Sequence, residues 1–114
     1  MFDFTKRNEG NVVILSLKGQ LDALTAGKLK PFLDEMIEDE NVCVVYDLRQ
    51  LSLIDSSGVG VIVSTFKRTR AKGGDTRIAC IMGQPKEVFQ VLNLNKYIDI
   101  CDTVENAVEM FPKS

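Results

Sequence analysis

The chain has no histidine. That removes the base from any Ser-His-Asp or Cys-His relay in cis and takes away the commonest metal ligand. No carboxylate cluster stands in for it, and no Gly-x-Ser-x-Gly elbow is present. The phosphate-cradling patterns Gly-x-x-x-x-Gly-Lys-Ser/Thr and Gly-x-Gly-x-x-Gly are missing as well. No apolar run approaches the roughly 20 residues of a membrane helix. Met1-Phe2-Asp3-Phe4-Thr5-Lys6 lacks the charged-then-apolar layout of a secretion signal. Positive charge is not in excess: 14 Lys and Arg against 16 Asp and Glu leave a net −2. The densest basic stretch, residues 67–72, reads as the solvated C-terminal end of a helix, where cations complement the dipole. These absences argue against catalysis by the common routes, a metal or cofactor, direct nucleic-acid binding and a membrane span. The expected location is the cytoplasm.

Cysteine is sparse and odd in number, three in all, without metal-site spacing. Cys43 and Cys80 sit in apolar strand-like runs and Cys101 lies near another, so buried, reduced thiols are expected. What is present is the balance of an ordinary globular protein: 45% apolar and 26% charged over 114 residues. One domain spanning 1–114 is expected, with no repeat, linker or low-complexity segment.

Residues 2–7 and 12–18 read as two strands joined by Asn8-Glu9-Gly10-Asn11, a tight turn. Gly19-Gln20-Leu21-Asp22 breaks the pattern and is expected as a loop reaching to Thr25. Helical spacing then places Leu29, Phe32, Leu33, Met36 and Ile37 on one face. Pro31 is expected to shift the start of that helix or to kink it. Residues 42–46 form a continuous apolar run, as in a strand buried on both faces, and residues 51–54 form a second, short strand. Asp47, between them, reads as a turn or capping residue. Val59, Ile62, Val63 and Phe66 make the next helical face, ended by Gly73-Gly74. A strand over 76–82 follows, then a helix with Pro85 in its first turn and Val88, Val91 and Leu92 on its face. Residues 97–100 are a short edge strand. Val104, Ala107, Val108 and Phe111 form a last amphipathic helix capped by Asp102 or Thr103. Strands alternating with helices, after an opening hairpin, predict an α/β fold with a mixed, mostly parallel sheet.

The most informative stretch is Asp55-Ser56-Ser57-Gly58-Val59-Gly60, which places two hydroxyls between a strand and an apolar helix. Asp55 or Ser56 is the expected cap there, and the first-turn N–H groups favour an anion. Gly58 and Gly60 are expected to permit a close approach, of a neighbouring strand or of a partner's backbone. A phosphoaspartate receiver would match the place of Asp47. It would also need an acidic pair after the first strand and a lysine ending a later one, and neither is found.

The chain resembles the anti-sigma factor antagonist family, the bacterial members of the STAS domain group. The resemblance spans nearly the whole chain. It rests on Val12-Val13-Ile14-Leu15-Ser16-Leu17-Lys18-Gly19-Gln20-Leu21-Asp22, on Val44-Val45-Tyr46-Asp47-Leu48, and above all on Ile54-Asp55-Ser56-Ser57-Gly58-Val59-Gly60. Val59 replaces the commoner leucine, a mild departure. The resemblance implies helices packed chiefly on one face of the mixed sheet. It also implies a partner, an anti-sigma factor that is a serine kinase, and a serine phosphatase that reverses the modification. Ser57 matches the phosphorylated serine. Asp22, Asp55, Ser56, Ser57 and Gly58 are the expected partner-binding residues, although Asp22 and Asp55 could equally be caps. Lys113, in the C-terminal tail, is expected to stand apart from that surface. The alternative is a STAS-type module that binds a nucleotide or a lipid, or serves as a stress-signalling scaffold.

Overall fold

The computed structural model describes residues 1–111. Five strands lie in the order β1(Phe2–Glu9), β2(Val12–Leu21), β3(Cys43–Ile54), β4(Asp75–Ala79) and β5(Ile100–Cys101), so neighbours in sequence are neighbours in the sheet. β1 pairs antiparallel with β2, and the remaining pairs are parallel. Among the described residues the α-helices are α1(Ala23–Met36), α2(Ser56–Ala71), α3(Gly83–Val91) and α4(Val104–Glu109).

Alternation along the strands divides the core in two. Val13, Leu15, Leu17, Val44, Tyr46 and Ile78 face α1, α2 and α3, whose Leu29, Leu33, Ile62 and Phe89 complete the larger cluster. Val12, Ile14, Cys43, Val45 and Ala79 face the other way, against Val104 and Ala107 of α4 and Phe111, two residues beyond its end. Three helices on one face and one short helix on the other match the expected mixed, mostly parallel sheet.

Several local expectations are corrected. Residues 43–46 and 51–54 belong to one twelve-residue strand, β3, which Val42 precedes. Asp47 lies inside it, where its carboxylate accepts Arg49 Nε at 3.2 Å and Ser16 Oγ at 3.3 Å. The polar interruption marks a part of the sheet where Arg49 and Gln50 are exposed, and β2 stays paired across it through two register shifts. Gly19-Gln20-Leu21 is the end of β2 and not a loop. Pro31 sits inside α1, which begins at Ala23. Both Pro31 and Gly27 are exposed, so the Gly27 carbonyl that loses its donor meets water. β4 stops at Ala79 because Cys80 turns left-handed, with φ of 60°. Cys80 is half-buried, unlike Cys43 and Cys101. On α3 Pro85 and Phe89 are buried, while Val91 and the C-cap residue Leu92 are 79% and 51% exposed. The short edge strand falls at Ile100–Cys101. Thr103 caps α4, accepting Asn106 N–H at 3.0 Å.

Candidate functional site

Two strand-to-helix junctions lie side by side at one end of the sheet. Leu21 ends β2 and Ile54 ends β3, and the two are register partners. Each is followed by an aspartate that caps the next helix. Asp22 Oδ1 accepts Thr25 N–H at 3.0 Å, and Asp55 Oδ1 accepts Gly58 N–H at 3.0 Å. The junctions are tied together, because Asp55 N–H donates to Leu21 C=O at 3.2 Å. The capping requirement of two parallel crossovers thus brings Asp22 and Asp55 to one surface.

Asp22 forms a reciprocal cap. Its own N–H donates to Thr25 Oγ1 at 2.8 Å, and that hydroxyl donates on to Gln20 C=O at 2.9 Å. The Thr25 N–H bond holds the Asp22 carboxyl below its ordinary value of 3.8. A depressed folded value contributes stability above the unfolded one, and that contribution is lost as pH falls through the folded value. In an NMR titration the Asp22 carboxyl is therefore expected to show a midpoint below 3.8; a midpoint above it would mean that the cap is not formed in solution.

Asp55, and not Ser56, is the cap of α2. Ser56 and Ser57 are its first two residues, exposed and half-buried respectively. Asp55 takes the amide of Gly58, the third residue, so the amides of Ser56 and Ser57 remain without an intrahelical acceptor. The end of the helix offers N–H groups and the positive end of its dipole beside both hydroxyls. Gly58 is buried against the junction. A β-carbon there would stand 2.6 Å from Leu21 O and 2.7 Å from Ile54 Cγ1. Of the two approaches open to this glycine, that of the neighbouring strands is the one found. Gly60 has no such neighbour within 4 Å, so its expected packing role is not found. Lys113 lies outside the described residues.

Gln84 is a supporting residue that pattern reasoning missed. From α3 its side chain accepts Ile54 N–H and donates to Ile54 C=O, each at 2.9 Å. The amide pairs with the strand end as another strand would, and so fixes the residue preceding Asp55. The one sequence signal was its place beside Pro85 at a helix start. Alongside runs an open groove of about 520 Å³, bounded by Ile54, Val59, Val88, Val91 and Leu92, with Asp55 and Glu87 as its charged members. Acidic charge and apolar surface therefore adjoin Ser56 at the start of α2.

No helix among the described residues is long and apolar enough to cross a membrane. Comparison with known proteins agrees with this architecture. The anti-sigma-B factor antagonist of Bacillus subtilis (strain 168) is 29% identical over 107 residues, covering 91% of this chain and 94% of that protein. The anti-sigma F factor antagonist of Paenibacillus polymyxa is 31% identical over 99 residues, covering 85% and 84%. The crystal structure of an anti-sigma factor antagonist from Mycobacterium paratuberculosis superposes with a TM-score of 0.85 at 17% identity, covering 96% of this chain and 92% of that one. The family described as STAS domain matches residues 3–107, and to that family the chain belongs.

Proposed function

We propose that this protein is an anti-sigma factor antagonist, a non-enzymatic regulator whose binding surface is the paired junction of Asp22 and Asp55. Its partner is an anti-sigma factor with serine kinase activity, and binding releases a sigma factor. Phosphorylation of Ser57 blocks the surface, and a serine phosphatase restores it. The observation that carries this reading is the position of Ser57 itself. It is the second residue of α2, next to a cap that leaves its own amide free. The names of the two curated relatives support the same reading.

The chemistry of the switch is electrostatic. A phosphate adds roughly −1.5 to −2 charges and three acceptor oxygens. Placed at the first turn of α2 it meets the dipole's favourable end, which the fold tolerates. A docked partner would have to desolvate that anion close to the Asp22 and Asp55 carboxylates, which is unfavourable.

Incubation with a cognate kinase and ATP, followed by mass spectrometry, is expected to place the phosphate on Ser57. Ser56→Ala should be modified as the wild type is, and Ser57→Ala should not. Full-stoichiometry phosphate on Ser57→Ala would reject the assignment. Ser57→Asp is expected to weaken partner binding with stability unchanged within about 1 kcal/mol, the scale of a helix-end charge. A protein that took a fatty acid or nucleotide and ignored the kinase would favour the alternative module.

A further inference from the structure

The two edges of the sheet are unequal. β5 has only two residues, and short edge strands resist pairing. β1 has eight, without proline, and its outer side is uncovered by any helix or strand among the described residues. Which of its backbone groups face outward follows from one bond. Gln20 N–H donates to Met1 C=O at 3.1 Å. The alternation of an antiparallel ladder then turns odd-numbered residues of β1 toward β2, and it turns the N–H and C=O of Phe2, Phe4, Lys6 and Asn8 outward. Phe4 N–H is accordingly met by a side chain, Asp3 Oδ1, at 2.8 Å.

Lysine and arginine on an edge usually blunt it. Here the order of the charges does the opposite for one particular partner, a second copy of the same strand. Two antiparallel copies of β1 can hydrogen-bond only where outward-facing residues oppose each other, so the two-fold axis must pass through a residue and not between two. Centred on Lys6, the pairing sets lysine against lysine and Asp3 against Glu9. Centred on Phe4, it sets Asp3 against Thr5 and forms no ion pair. Centred on Thr5, it sets Asp3 opposite Arg7 twice, at non-hydrogen-bonded positions where side chains approach most closely. The same register sets Phe4 opposite Lys6 twice, and Lys6 already lies 5.8 Å from the centre of the Phe32 ring.

We propose that this protein self-associates through β1, two copies pairing antiparallel about Thr5 to join their five-stranded sheets into one. Asp3 leaves Phe4 N–H for Arg7 of the second copy, and that N–H passes to the second copy's Lys6 carbonyl. Arg7 gives up only a 3.5 Å contact with Glu9, in which both side chains are half or more exposed and which is therefore worth little. The antiparallel arrangement puts the two Asp22–Asp55 junctions at opposite ends of the joined sheet, so both stay accessible. The inference is independent of the proposed function.

Sedimentation equilibrium of the full chain tests it. The mass is expected to rise with concentration from 12.7 kDa toward twice that value. Asp3→Arg and Arg7→Asp, each alone, should weaken association roughly tenfold or more by opposing like charges. An equimolar mixture of these two variants should associate again, because one strand then carries only positive and the other only negative charge at the paired positions. Circular dichroism of each variant reports folding separately. Lys6→Pro, which removes an outward N–H alone, should abolish association in a folded protein. A wild type that stays at 12.7 kDa up to about 1 mM would overturn the proposal. So would single variants that associate as the wild type does, or a mixture that fails to recover.

Discussion

Gly58→Ala is expected to destabilise the protein by about 1–3 kcal/mol, the range for forcing an extra methyl into packed structure. Alanine is the better helix former, by roughly 1 kcal/mol, so propensity alone predicts the opposite sign. Contact decides against it. The new methyl would meet the Leu21 carbonyl oxygen and Ile54 Cγ1 at 2.6 and 2.7 Å, and the carbonyl is main chain held in the sheet. Relief requires the start of α2 to move off the strand ends, which also displaces Ser57. Gly60→Ala supplies the control two residues on. Its methyl meets nothing within 4 Å, so this variant should gain up to about 1 kcal/mol. Urea midpoints that move in the same direction for both variants would refute the close-approach role of Gly58.

Phe89→Ala should cost more, about 3–5 kcal/mol, the usual loss for deleting a buried aromatic ring. Phe89 is fully buried and anchors α3 to the larger core. The loss should spread beyond the cavity. α3 carries Gln84, whose amide holds both backbone groups of Ile54, so a loosened α3 frees the strand end next to Asp55. Hydrogen exchange at the Ile54 amide is expected to accelerate in Phe89→Ala relative to its rate in Val91→Ala. Val91 is 79% exposed, and its truncation should change stability by less than about 0.5 kcal/mol. Equal losses for the two would mean that α3 docks through its other face.

The contrast between Phe89 and Val91 shows where the sequence could be read and where it could not. Periodicity found the helix and placed Val88 correctly against the core, but it chose Val91 and Leu92 over Phe89, since a nine-residue helix has too few turns for spacing to fix its face. Longer elements were legible. α1 and its C-cap bury Leu29, Leu33 and Ile37 with Phe32 and Met36 half-buried, as spacing predicted. β3 reads as two strands because Asp47 looks like a turn or a cap, when it is a half-buried residue inside the strand. At the site, Asp55-Ser56-Ser57-Gly58 signalled a junction, and Asp22 was open to reading as a cap. That the two caps adjoin depends on the Leu21–Ile54 register, a long-range pairing that no local pattern contains. The two bonds from Gln84 to Ile54 are long-range in the same way, so its place beside Pro85 could not disclose them.

The polar seam beneath α2 has a mechanical consequence. Thr65 and Thr69 are buried, and their hydroxyls bond Tyr46 Oη on β3 at 2.7 Å and Thr76 Oγ1 on β4 at 2.8 Å. A helix held only by aliphatic contacts can roll or slide by a fraction of a turn at small cost. This one would first have to break two buried bonds, and each broken bond leaves an unsatisfied hydroxyl worth about 1–3 kcal/mol. α2 is thus pinned against piston-like displacement and axial rotation alike. Under the proposed phosphorylation, the charge on Ser57 is read where it stands, by whatever touches the end of the helix, and is not relayed as motion to the far side of the sheet.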